Sequence, residues 1–191
     1  IDKRVEKNDS PFRFIGSSPQ GQSLWDKIRG YISGEISRVT VIGPFFDKGF
    51  AFLKTMQKQL SPREIFVGID PTTVEMPEIP KGLNGIRFVD ASNLLQRTTY
   101  LHAKAIYLES ESKNNWLITG SANPSNPAWT ASPEKRNAEA VILHSGTKAF
   151  SAAASLSIIK VQNYPEITAS GWNEIAERLK KRKKKDGSSY A

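Results

Sequence analysis

Hydrophobic positions along the chain fall into short runs of two different periods, and their alternation predicts strands interleaved with helices. Val39-Thr-Val-Ile-Gly43 reads as a buried strand ending at Gly43-Pro44. Phe50, Leu53 and Gln57 then continue at helical spacing to about Leu60, where Ser61-Pro62 stops the helix. Residues 64–70 and 85–90 predict two further strands, joined by an irregular connection that Pro71, Pro77, Pro80 and Gly82 enforce. Three more strands are predicted over residues 101–109, 115–119 and 138–144. Residues 122–136, rich in Pro, Asn and Ser, predict a surface loop containing a turn of helix.

Helices complete the pattern. Leu24, Ile28 and Ile32 share one side of a short early helix, preceded by the loop of residues 16–21. The alanine-rich stretch 148–162 predicts a helix packed on the sheet, and Trp172, Ile175 and Leu179 mark a last one over residues 172–181. The predicted fold class is α/β, a mixed sheet with helices on both faces. Its strand order is not readable. We divide the chain into an N-terminal tail (1–19), a central domain (20–165) and a C-terminal helix with a basic tail (166–191).

A length of 191 residues suits one domain with a substantial core. No apolar run approaches the roughly 20 residues that span a bilayer, so no membrane partner is expected. No secretory signal opens the chain, which starts at Ile1 and not at methionine. The absence of cysteine excludes disulfides and thiolate metal sites and suits the reducing cytoplasm, where we expect the protein. With His102 and His144 the only histidines, neither a metal site nor a cofactor is expected. The formal charge of +8 favours a polyanionic partner, but Arg178 to Lys185 holds seven basic residues and no acid. The charge therefore concerns the chain end more than the core, and a solvated helix end or tail explains it as well as a nucleic-acid contact does.

Three stretches carry the candidate chemistry: Leu101-His102-Ala103-Lys104, Gly120-Ser121-Ala122-Asn123 and Asn137-Ala138-Glu139. In a strand, residues two apart share a face, which sets His102 beside Lys104 and Asn137 beside Glu139. A carboxylate that reached the His102 imidazole across the sheet would complete the ingredients of an activated histidine.

In these stretches the sequence resembles the phospholipase D superfamily, whose motif runs His-x-Lys, four residues, Asp, then Gly-Ser-x-Asn, then Asn-x-Glu. The match here reads HAKAIYLE, GSAN and NAE, and Gly43-Pro-Phe-Phe46 is similar to the family's first strand and turn. The resemblance covers roughly residues 20–162, one family half-domain. Glu109 stands where the family has its aspartate, on the strand face opposite His102, where structural pairing is the expected role. Branches of the family that act in DNA repair also lack that aspartate, which points to nucleic acid ahead of lipid.

The resemblance implies a metal-independent phosphodiesterase, a nuclease acting on DNA through a phosphohistidine at His102. Lys104 and Asn123 would hold the non-bridging oxygens. Glu139 would fix the nucleophilic tautomer of His102 and balance the imidazolium charge. Ser121, as the partner of Glu139 or of the phosphate, Asn137 and Trp129 are expected at the substrate. His144 has no such company and reads as structural. Of the aromatic residues, Trp116, Phe45 and Phe46 are expected in the core, and only Trp129, in the polar loop, as a contact for bases. The family's reaction needs two histidines and this chain has one motif copy. The second is expected from a homodimer or from elsewhere in a longer chain. The alternatives are a non-catalytic half-site that holds nucleic acid and a phospholipid phosphodiesterase.

Overall fold

The computed structural model describes residues 12–17, 20–94, 101–112 and 114–187, with side chains described as far as Arg182. A seven-stranded mixed sheet forms from β1 (Phe12–Gly16), β2 (Ile36–Ile42), β3 (Glu64–Ile69), β4 (Ile86–Asp90), β5 (Ala105–Ser110), β6 (Trp116–Gly120) and β7 (Ala140–Ser145). Their order is β1-β7-β6-β5-β2-β3-β4. Strands β2, β3 and β4 run parallel, while β5 joins β2, β6 joins β5, β7 joins β6 and β1 joins β7 in antiparallel pairs.

The helices are α1 (Leu24–Arg29), α2 (Ala51–Leu60), α3 (Asn126–Trp129), α4 (Gly146–Ser155) and α5 (Ala169–Gly187). Ser23 begins α1 by accepting a hydrogen bond from the Asp26 amide, 3.1 Å away, which satisfies one otherwise orphaned donor. Strand alternation sends Val39, Val41, Ile106, Leu108 and Ile118 to one face, under α1, α2, α3 and Ile175 of α5. Ile42, Phe66, Ala105, Tyr107 and Leu117 go to the other, under α4 and the 3-10 turn Ile158–Asn163. Helices thus cover both faces, as the alternation of runs predicts.

Four expectations are corrected. The N-terminal tail gives way at Phe12 to β1, which pairs with β7 from Phe12↔His144 to Gly16↔Ala140; residues 1–11 lie outside the described set. The strand expected from residue 101 starts at Ala105, opposite Ile42, because β2 ends there and offers no further ladder. The helix expected over 148–162 is two pieces, broken where Ser157 takes a left-handed conformation (φ 56°). The fourth is Trp129. Its indole is buried (1 % exposed), stacks on Phe52 at 4.9 Å between ring centroids and meets Trp25 edge-on at 6.2 Å. It is core and has no face free for a base. Trp116 is buried as expected, and the C-terminal basic run is part of α5 as far as Lys185.

Because Trp129 joins α3 to α1 and α2, Trp129→Ala should lower the free energy of unfolding by about 3–5 kcal/mol in urea denaturation. A loss no larger than that of a surface substitution would show that this cluster does not hold the helices together.

Candidate active site

The sheet topology alone brings the three stretches together. β5 runs antiparallel to β2, so its start lies beside the end of β2 (Ala105↔Ile42), and the end of β6 lies on the other side of that start (Thr119↔Ala105). The start of β7 then meets the end of β6 (Val141↔Gly120). Residues 43–46, 102–104, 120–123 and 137–139 are the continuations of these strands at one end of the sheet. Two glycines permit the approach. A Cβ at Gly120 would collide with the Ala140 carbonyl oxygen and stand 2.7 Å from Val141 Cα. One at Gly43 would stand 2.7 Å from Cγ of Pro124, the residue after GSAN.

His102 is exposed, and Lys104 lies over it. The ammonium is 3.1 Å from Nδ1 and 2.9 Å from Nε2, and it donates to the His102 carbonyl oxygen at 2.9 Å. An ammonium only donates, so a ring nitrogen that accepts from it bears a free lone pair, the form a nucleophile needs. Lys104 lines a small cavity together with Ile106, Ile118 and Trp129. Burial lowers its pKa from the ordinary lysine value, with the negative charge of Glu139 acting in the opposite direction.

Glu139 is held by the other motif residues. Ser121 Oγ donates to its Oε2, Asn137 Nδ2 donates to Oε1 at 3.2 Å, and the Ala140 amide donates to Ser121 Oγ at 3.1 Å. Ser121 thus pairs with the carboxylate, one of its two expected partners. Asn123 sits half-buried on the same loop, its carbonyl accepting from Trp129 Nε1 at 2.8 Å. Its Oδ1 is buried with no hydrogen-bond partner among the described residues, an uncompensated polar atom of the kind that collects at functional sites. Trp129, expected against substrate, instead holds the Asn123 backbone from beneath. Glu109 pairs with Arg38 at 3.3 Å on the opposite face, and His144 packs against Phe12.

Three neighbours escaped the sequence reading. Ser17 Oγ donates to the Asn137 carbonyl at 2.8 Å and accepts from the Glu139 amide at 2.7 Å, tying β1 to the NAE stretch. The buried Asp70 carboxylate accepts from the Thr72 amide (2.9 Å) and hydroxyl (2.7 Å), and also from the Leu101 amide, so it anchors the segment that carries His102. Burial raises its pKa, but these bonds outweigh burial and leave it below the usual aspartate value. Phe45 was assigned to the core. It is 36 % exposed and meets the His102 ring edge-on at 6.4 Å between centroids. A hydrophobic residue beside Gly-Pro gives no local sign of this exposure, and the partners of Ser17 and Asp70 are distant in sequence.

No family model matches the chain, and no curated protein matches it by sequence. Among solved structures it is similar to NucT from Helicobacter pylori (14% identity, TM-score 0.49), covering 80% of this chain and 97% of that one. It is similar to Nuc, a phospholipase D family member from Salmonella typhimurium (14% identity, TM-score 0.46, 81% and 96% covered). It is also similar to the yeast tyrosyl-DNA phosphodiesterase (14% identity, TM-score 0.48), covering 71% of this chain. The chain spans 46% of the length of that last protein.

The lowered pKa of Asp70 gives a stability test with a definite sign. A carboxylate whose folded pKa lies below its unfolded value of about 3.9 stabilises the fold above that pH, and the contribution is lost as pH falls through the folded pKa. Asp70→Asn should therefore lower thermal stability at neutral pH, and the gap to the wild type should narrow in melts taken below about pH 4. A gap independent of pH would remove the charge from the explanation.

Proposed function

We propose that the chain is a phosphodiesterase of the phospholipase D type that cleaves nucleic acid, DNA foremost, through a phosphohistidine on His102. The observation that carries this reading is the meeting of His102, Lys104, Asn123 and the Ser121–Glu139 pair at one sheet end, in the order of the motif. In the first step a ring nitrogen of His102 attacks phosphorus and the bond to the leaving strand oxygen breaks. Lys104 exchanges the imidazole for a non-bridging oxygen, and Asn123 offers its amide to the same group; both oppose the charge that develops there. Glu139, fixed by Ser121 and Asn137, balances the positive charge on the imidazole.

The leaving oxygen takes its proton from a second histidine. Water then attacks the phosphohistidine, giving that histidine back a proton and releasing His102. A second copy of the chain in an isologous pair, or another segment of a longer protein, supplies this histidine. Neither step requires a metal in this scheme. Among the described residues no helix is long and apolar enough to cross a membrane, and the basic stretch of α5 favours a polyanion over a neutral lipid surface.

The test is cleavage of end-labelled single- and double-stranded DNA and RNA in excess EDTA. His102→Ala should lose about a thousandfold or more of the activity, and Lys104→Ala about a hundredfold. Cleavage that survives in His102→Ala, or that EDTA abolishes, would sink the proposal. Tight binding without turnover would favour the non-catalytic half-site.

A further inference from the structure

Beyond His102, the same end of the molecule carries a groove that the motif does not explain. β2 runs into Gly43-Pro-Phe-Phe46, and this segment is bridged to Glu75: the Phe46 amide donates to the Glu75 carbonyl at 3.0 Å, and the Glu75 amide to the Pro44 carbonyl at 2.7 Å. Extended backbone alternates its side chains, so Phe46 enters the core (6 % exposed) while Phe45 turns outward. Phe45 is thus an aromatic surface on a fixed backbone, at the edge of the candidate nucleophile.

Two adjoining hollows, of about 270 Å³ and 460 Å³, share Phe45, Glu75 and Arg182 in their walls. Their far side is α5. Arg178 fastens that helix to the loop after β3 by donating to the Pro71 carbonyl at 3.3 Å and to the Val74 carbonyl. One turn on, Arg182 pairs with Glu75 while its side chain stays 57% exposed. The helix continues to Gly187, and its sequence stays basic through Lys185. The fold therefore sets the run of seven basic residues from Arg178 to Lys185 on a helix whose root forms the wall opposite Phe45.

We propose that this groove is a binding track for single-stranded nucleic acid, in which a base stacks on Phe45 and the backbone phosphates follow the groove side of α5 at Arg182. The inference rests on His102 as the reacting residue, for the track leads to it. An exposed ring accepts any base by its face, and unpaired bases offer that face where duplex bases do not. Glu75 plays a specific part. Its carboxylate holds Arg182 in the groove wall when no strand is bound, and an incoming phosphate must compete with it for the guanidinium.

The signs of three substitutions test the track by fluorescence anisotropy of a short dye-labelled oligothymidylate in EDTA. Phe45→Ala should weaken binding about tenfold and Phe45→Trp should preserve it. Arg182→Ala should weaken it about threefold or more and reduce the slope of log K against log salt by about 0.7. Glu75→Gln should tighten it, because Arg182 is then free for phosphate. If Phe45→Ala proves unfolded by circular dichroism, Phe45→Leu, which keeps apolar bulk without a ring face, should weaken binding in its place. Wild-type affinity in Phe45→Ala and Arg182→Ala, or an equal loss on single strand and duplex, would overturn the track, as would no binding by the wild type. Cleavage of a small phosphodiester, bis(p-nitrophenyl) phosphate, reads the chemistry separately. If the wild type fails to cleave it while the three signs hold, catalysis by this chain without a further segment falls and the track stands.

Discussion

The antiparallel seating of β5 against β2 is the constraint on which the site depends. Three parallel strands, β2, β3 and β4, would by themselves leave only the ends of one set of loops at that edge of the sheet. Reversing the chain at β5 places a strand start next to a strand end, and the reversals at β6 and β7 repeat this twice more. Segments far apart in sequence then share one small area without any of them having to travel. The density of that area is set by glycine. At Gly120 a single Cβ would force β6 from β7 and separate Ser121 from Glu139, whose hydrogen bond spans the same gap.

Most of the architecture was legible because its strands and helices carry strong periodicity, and β2, α2, β3 and β4 fall within a few residues of their predicted limits. The misses have separate causes. Strand β1, Phe12–Gly16, has four residues with side chains between a charged stretch and a glycine, and its pairing comes wholly from β7, which local sequence cannot announce. The start of β5 is decided by where its neighbour ends, so Leu101 to Lys104 read as strand although no ladder remains for them. Trp129 and Phe45 were exchanged for one reason. Polar neighbours made Trp129 look exposed and apolar ones made Phe45 look buried, whereas orientation follows from the Trp129–Asn123 hydrogen bond and the Phe45–Glu75 bridge.

At the candidate site the motif residues were readable, but what holds them was not. Lys104, Ser121 and Glu139 are recognisable by spacing, and the structure brings them within reach of one another or of His102. Ser17 and Asp70 act through backbone groups, the Glu139 and Leu101 amides, and any residue could supply those. Such partners leave no chemical signature in the sequence stretch they support.

Charge balance explains why the motif needs the rest of the chain. Lys104 and Glu139 are of opposite sign and near enough to perturb one another, so the motif alone offers a phosphodiester little net positive charge. A second copy of the motif would contribute a histidine, but it would also bring another carboxylate with its lysine. It would complete the proposed proton transfers without improving the attraction for a polyanion. The excess must come from outside the motif, and the run from Arg178 to Lys185 in α5, with Arg178 and Arg182 at its groove side, is where the chain concentrates it. In the proposed scheme, bond making at His102 and capture of the strand would be separable tasks, assigned to separate parts of one fold.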